Sequence, residues 1–274
     1  MRYHQCFVTA VLIVGLLAPT TSPAFASIST IEVPGATYTS ANGMNDRGDI
    51  VGNYSEGWTY HGFVLHNGTF TTIDVPGTIF TDARGINNRG EIVGTYSVPS
   101  SPYSQTSRGF LLANGTFTTI DVPGATFTSA NGINDRGQIV GTYFSVGLHG
   151  FVLDKGTFTT IDVPGPVFTW AAGINNRGEI VGRYTLTLRT FHGFVLDKGT
   201  FTSFDVPGAT STEPYGMNDR GEIVGNFVSG GTGTTHSFAL DKGTFTTIID
   251  VFAPGINNCG EIVGGTGRHG LVLH

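Results

Sequence analysis

Five histidines recur at one position of a repeating pattern: His61, His149, His192, His236 and His269, each two residues before a Phe or Leu. An acidic residue recurs with them, as Glu32, Asp74, Asp121, Asp162, Asp205 and Asp250. Imidazole and carboxylate are the groups of metal ligation and general acid–base catalysis, and both chemistries need several side chains converging on one point. One copy per repeat spreads them apart instead, whereas a glycosidase needs two carboxyl groups about 5–10 Å from each other. The spacing therefore predicts structural roles. Each histidine should open a strand and hydrogen-bond within or between repeats, with the acid that ends the following strand as one available partner. No EF-hand or nonapeptide calcium loop is present, and no metal or cofactor is expected.

Chemistry that differs from repeat to repeat lies elsewhere. A tetrad Gly-(Ile/Met)-Asn-(Asp/Asn) begins at Gly43, Gly85, Gly132, Gly173, Gly216 and Gly255. Three residues before the first five of these glycines stand Ser40, Asp82, Ser129, Trp170 and Glu213; one residue before them stand Asn42, Arg84, Asn131, Ala172 and Tyr215. Period-two spacing puts both sets on one side of a strand. Asp82, Arg84, Trp170, Glu213 and Tyr215 are the candidate ligand-binding residues, a polar and aromatic set, with Trp58, Tyr60, Tyr103 and Phe191 on loops around them. Neutral variation at exposed positions is the competing explanation. No catalytic residue is assigned, because no nucleophile elbow, zincin motif, P-loop or dinucleotide fingerprint occurs.

The elements that must position these residues follow from the period. The tetrads are separated by 42, 47, 41, 43 and 39 residues. Each interval holds short Phe/Val/Ile/Thr-rich runs divided by Gly-containing turns, without helical periodicity. From Phe127 to Val163 four strands can be read: 127–134, 138–143, one through Phe151, and 157–163 stopped by Pro164-Gly165. Asn67-Gly68 and Asn114-Gly115 are strong hairpin signals. With 41 glycines and only 12% charged residues in 274, helical, disordered and collagenous classes are excluded. Four antiparallel strands per unit predict an all-β, six-bladed propeller.

The chain ends sharpen this. Residues 28–33 copy a fourth strand with no three before it, and the chain finishes at Leu271-Val272-Leu273, a copy of a third strand with no fourth. In a closed ring the N-terminal strand would complete the last blade and remove exposed sheet edges; an open array that begins mid-repeat is the alternative. The stretch between second and third strands varies, with 6, 11, 5, 7, 8 and 2 residues in successive units, while the Asn-Asp-Arg-Gly and Asp-Lys-Gly turns are uniform. In an up-and-down blade the variable loops share one face, where binding on a rigid scaffold usually resides. Arg47-Gly48-Asp49 reads as one variant of the uniform turn and not as an adhesion tripeptide.

The repeat resembles the HAF-type extracellular repeat, a His-Ala-Phe triad followed by a Gly-Ile-Asn core ending in Val-Val-Gly. Here the triad appears as His61-Gly62-Phe63, His149-Gly150-Phe151, His192-Gly193-Phe194 and His236-Ser237-Phe238, and the core as Gly132-Ile133-Asn134 through Ile139-Val140-Gly141 with five further copies. The middle residue of the triad and the Ile-Asp-Val-Pro-Gly strand ending depart from that pattern. The resemblance implies an exported, propeller-like protein and no established activity.

Export is also legible directly. Arg2 and His4 precede a 12-residue apolar run, Phe7–Ala18, and Ala24-Phe25-Ala26 has the small-x-small pattern of a signal peptidase site. As a helix the run reaches about 18 Å, short of a hydrocarbon core of about 30 Å. The expected division is a signal peptide, 1–26, and one propeller domain, 27–274, secreted or periplasmic, with no membrane span in the mature chain. Cys6 would leave with the leader, so that Cys259 is the only mature thiol, expected to be exposed and inert, with pairing between two chains as the alternative. Loss of Arg2 takes the net charge from −6 to −7, which gives no footprint for nucleic acid. A monomer is expected, binding a glycan, peptide or envelope component non-catalytically through the variable face. The alternative is a secreted polysaccharide or peptide hydrolase or lyase with its site at the channel mouth.

Overall fold

The computed structural model describes residues 27–101, 104–165, 168–187, 190–248 and 252–274. The leader residues, Tyr103 and Asp250 lie outside that set. Six four-stranded antiparallel sheets are arranged as the blades of a propeller. In the third blade the strands are Phe127–Ile133, Ile139–Phe144, Leu148–Asp154 and Thr157–Ile161, in that order from the channel outwards. The ring closes as the chain ends predicted. Strand Ile28–Ile31 pairs antiparallel with His269–Leu273, Ile28 opposite Leu273 and Ile31 opposite Gly270, and supplies the outer strand of the sixth blade. Among the described residues no helix is long and apolar enough to cross a membrane.

The core lies between blades. Phe63, Phe151, Phe194 and Phe238 of the His-x-Phe positions and Val51, Val93, Val140, Val181, Val224 and Val263 of the second strands are completely buried. Each valine packs at the seam with the next blade, as Val140 does with Ile161 of its own blade and with Ala171 and Phe194 of the fourth. Burial of apolar area at about 25 cal/mol per Å² is thus divided into six similar interfaces.

The tetrad explains itself in the first turns. Asn45 accepts backbone hydrogen bonds from Arg47 and Asp49 through Oδ1, while its Nδ2 donates to the Asp49 carboxylate and to the Asn87 carbonyl of the next blade. Asn87, Asn134, Asn175, Asn218 and Asn257 bridge to the following blade in the same way, the last reaching the Asn45 carbonyl to complete the circle. The next residue alternates Asp46, Asn88, Asp135, Asn176, Asp219, Asn258. These side chains form a closed hydrogen-bonded ring: each asparagine Nδ2 donates to the carboxylates on both sides at 2.8–3.0 Å.

The recurring histidines are structural. His61 meets Asp74 at 2.9 Å, His149 meets Asp162 at 2.9 Å, His192 meets Asp205 at 2.8 Å and His269 meets Glu32 at 2.7 Å, with Arg108 on Asp121 in the second blade. Each pair joins the third and fourth strands of one blade at a partly exposed position. Such pairs contribute little, so His149→Ala is expected to cost less than about 1 kcal/mol in a denaturant titration; a loss several times larger would give the pair a role beyond pinning the outer strand.

Asp49 of the Arg-Gly-Asp triplet faces inward, its side chain only 5% exposed. Burial alone would push its carboxyl up, but hydrogen bonds from His66, Asn45 and Arg47 and the Arg47 charge outweigh burial and hold it below the usual carboxylate range. The triplet is a turn and presents no free carboxylate. Cys259, expected as a lone thiol, is disulfide-bonded. No free cysteine occurs among the described residues, and Cys6 lies outside them.

Candidate functional site

The first strands carry a register shift at the tetrad. In the third blade Ala130 opposes Gly141 and Gly132 opposes Val140, leaving Asn131 as the extra residue of a β-bulge; Asn42, Arg84, Ala172 and Tyr215 occupy the same place in their blades. A bulge re-aims a side chain and accents local twist. Here it keeps the residue beside its neighbour two positions earlier, so that the pair acts as a unit. Ser40 donates to Asn42 at 3.0 Å, Arg84 to Asp82 at 2.7 Å, Ser129 to Asn131 at 2.8 Å and Tyr215 to Glu213 at 3.1 Å.

These pairs surround a cavity of about 410 Å³ at the variable-loop end of the channel. Every blade contributes: Ser40, Asn42 and Asn53 from the first, Asp82 and Arg84 from the second, Ser129 and Asn131 from the third, Trp170 and Arg183 from the fourth, Tyr215 from the fifth and Phe252 from the sixth. Four of the five expected site residues line it directly. Glu213, the fifth, stands behind Tyr215 and Arg183.

The cavity has two unlike halves. On the polar side Asp82 Oδ1 accepts from Asn42 at 2.8 Å and Asn53 at 2.7 Å, while Oδ2 takes the Arg84 Nε hydrogen bond at 2.7 Å. Arg84 Nη1 reaches across to Ser129 at 2.6 Å and Asn131 at 2.8 Å, tying the first three blades together. On the other side the Arg183 guanidinium sits among three rings, 5.2 Å from the centroids of Trp170 and Tyr215 and 5.4 Å from that of Phe191. Glu213 closes this cage with a 3.2 Å ion pair to Arg183. Both acids are paired with an arginine, so the four charges sum to zero.

Burial is the largest influence on the Tyr215 hydroxyl and pushes its pKa up to about 12; the Arg183 charge opposes the rise and Glu213 adds to it. The phenol is therefore a donor to Glu213 throughout the physiological range. Its folded pKa exceeds the ordinary value of 10.0, so the stability linked to it is complete below the unfolded pKa and is lost as pH rises through the folded value. Alkaline absorbance titration of the native protein should show one fewer early-ionising tyrosine than its composition implies, and Tyr215→Phe should remove a step near pH 12. A step near pH 10 in that difference would contradict the burial.

Arg183 was not among the expected residues. The position after Ile-Val-Gly reads Asn53, Thr95, Thr142, Arg183, Asn226 and Gly265, and it lies directly opposite the variable first-strand residue, Arg183 against Trp170 and Asn53 against Ser40. Cross-strand pairing of two varying positions was the available signal. Among the surrounding loop aromatics, Phe191 packs on Trp170 at 5.3 Å. Tyr60 instead meets Phe80 at 5.7 Å, and Trp58 stands 96% exposed, away from the cavity. Tyr103 lies outside the described residues. Of eight large hydrophobic side chains exposed among the described residues, seven (Trp58, Tyr60, Ile79, Phe144, Val146, Leu186 and Phe252) belong to this variable-loop end, and such crowding marks an interaction surface.

The opposite end of the channel holds a cavity of about 100 Å³ ringed by the uniform Asn-Asp and Asn-Asn turns. Its polar atoms are engaged in the Asp/Asn ring described above.

No protein-family model matches the sequence, and no curated protein matches it. Solved structures do. The chain is similar to a streptogramin B lyase (TM-score 0.53, 12% identity, 90% of this chain and 97% of that one). It is also similar to TolB from Acinetobacter baumannii (TM-score 0.55, 12% identity, 86% and 54%), of which it spans about half the length. A third likeness is to the β-propeller domain of the Trilobed protease from Pyrococcus furiosus (TM-score 0.52, 14% identity, 77% and 67%). At these identities the likeness concerns fold, and it agrees with the sheet topology: the chain is a six-bladed β-propeller.

Proposed function

We propose that this chain is an exported, non-catalytic propeller that holds an extracellular or envelope ligand in the cavity at its variable-loop face. One observation carries the reading: the residues that break the repeat, scattered from Asp82 to Tyr215 in sequence, meet in a single cavity to which all six blades contribute. Drift at unrelated exposed positions gives no reason for an acid–arginine network on one wall and a caged arginine on the other. The volume falls within the range of about 300–1,000 Å³ common for small-ligand sites. The hydrolase or lyase reading is weaker, because Asp82 and Glu213 are each engaged by an arginine and by further hydrogen bonds and so are committed to holding the walls.

The test is a binding screen of the purified protein against glycan and cell-envelope fractions, with Trp170→Ala and Glu213→Ala in parallel. Loss of the ring that backs Arg183, or of its counter-ion, should weaken binding by at least about tenfold, the equivalent of one good interaction near 1.4 kcal/mol. Equal binding by both variants and the unaltered protein would refute the cavity. Export has its own check: the protein recovered outside the cytoplasm should begin at Ser27.

A further inference from the structure

We infer that the ligand is an uncharged sugar residue, a hexose-sized unit of a glycan, held between the Asp82–Arg84 wall and the aromatic wall. The inference rests on the binding reading above and narrows it to a chemical class.

Charge decides against ions. Arg84 is neutralised by Asp82 at 2.7 Å and Arg183 by Glu213 at 3.2 Å, so an anionic ligand would have to compete with a built-in carboxylate for either guanidinium. A cationic ligand fares no better. The aromatic cage that would receive it is already filled from within by Arg183, between Trp170, Tyr215 and Phe191, and a second positive charge there would be repelled.

Hydrogen-bonding capacity points the same way. Arg84 spends Nε on Asp82 and Nη1 on Ser129 and Asn131, which leaves Nη2 as a donor without a hydrogen bond among the described residues. Asn53 donates to Asp82 through Nδ2, and its Oδ1 is a buried acceptor with no partner. One unmade donor and one unmade acceptor therefore flank the same carboxylate. An unsatisfied buried polar atom costs about 1–3 kcal/mol. A hydroxyl both donates and accepts, so adjacent hydroxyls, directly or through one bridging water, complete both groups. Phosphate or carboxylate oxygens, being acceptors only, leave Asn53 Oδ1 unmade. Across the cavity Phe252, 41% exposed, and the ring of Tyr215 packed 5.0 Å from it offer apolar surface to the C–H face of a pyranose.

The chain has two tryptophans, Trp58 and Trp170, so Trp58→Phe leaves the cavity residue as sole indole reporter. In that background, methyl glycosides of glucose, galactose, mannose, fucose and N-acetylglucosamine are titrated beside glucuronate, glucose 6-phosphate, choline and a mixed tripeptide pool. At least one neutral glycoside should give a saturable change in emission at or below about 50 mM, a range that covers millimolar sites. By calorimetry its affinity should fall at least about tenfold in Arg84→Lys and in Asn53→Ala, each removing one of the unmade partners. Thermal melts of both variants confirm that they fold. Tighter binding of a charged probe or of peptide than of every neutral glycoside overturns the sugar assignment and leaves the cavity as the binding site. Absence of any saturable response to the neutral panel overturns it as well. Neutral-sugar binding that is unaltered in both variants places the ligand outside the cavity and overturns this inference together with the function it rests on.

Discussion

Gly182→Ala is expected to lower the melting temperature by roughly 6–12 °C, the shift that about 3 kcal/mol produces in a domain of this size. A Cβ at Gly182 would lie 2.0 Å from the backbone oxygen of Trp170 and 2.7 Å from the Phe194 ring. Neither neighbour can yield: the oxygen belongs to the bulged first strand and Phe194 is completely buried. A Cβ on any of the equivalent glycines 52, 94, 141, 225 and 264 would likewise come within 2.3 Å of the corresponding backbone oxygen in its blade. Space, not a left-handed backbone, requires glycine there. The strain would also displace the carbonyl of Trp170, so ligand binding should weaken with stability. Gly231→Ala is the control, since nothing lies within 4 Å of its Cβ position, and its melting temperature should stay close to that of the unaltered protein. Equal melting of Gly182→Ala and Gly231→Ala in calorimetry would contradict the packing.

Asp135→Asn should cost about 2–4 kcal/mol, although it is isosteric and sits on a partly exposed turn. Asp135 Oδ2 accepts from Asn88 and Asn176, both at 2.9 Å, and Oδ1 accepts from the Asn88 backbone at 2.7 Å. An amide placed there points its NH2 either at two other NH2 groups or at a backbone N–H. Donor faces donor in both orientations. The exchange Asn88→Asp with Asp135→Asn preserves net charge but seats two carboxylates side by side at positions 46 and 88 and two amides at 135 and 176. It should therefore stay well below the unaltered protein in a denaturant titration. A neutral outcome for the exchange would mean that charge alone, and not the alternation, stabilises the ring.

That alternation was present in the sequence, as Asn-Asp and Asn-Asn in strict turn from Asn45 to Asn258, and it closes without mismatch only in a ring with an even number of blades. Blade count, strand order, the closing strand and the structural part played by the histidines were equally legible, because each depends on a local pattern written six times. Asp82, Arg84, Trp170, Glu213 and Tyr215 were legible as exceptions to that pattern. Arg183 was not, since its importance comes from facing Trp170 across a strand pair and Tyr215 across a blade boundary.

What the amino-acid sequence determines by itself is the scaffold: period-two alternation, turn residues and repeated glycines act over a few residues and need no distant partner to be read. What only the tertiary structure decides is the chemistry at the channel mouth. Asp82 and Glu213 look alike as isolated carboxylates, and closure of the ring is what gives each its own arginine, gathers residues from every blade around one cavity and leaves Asn53 Oδ1 and Arg84 Nη2 unmade beside it. Electrostatic pairing and hydrogen-bond saturation depend on distances of about 3 Å, which blades separated by about 40 residues acquire only once the circle is complete.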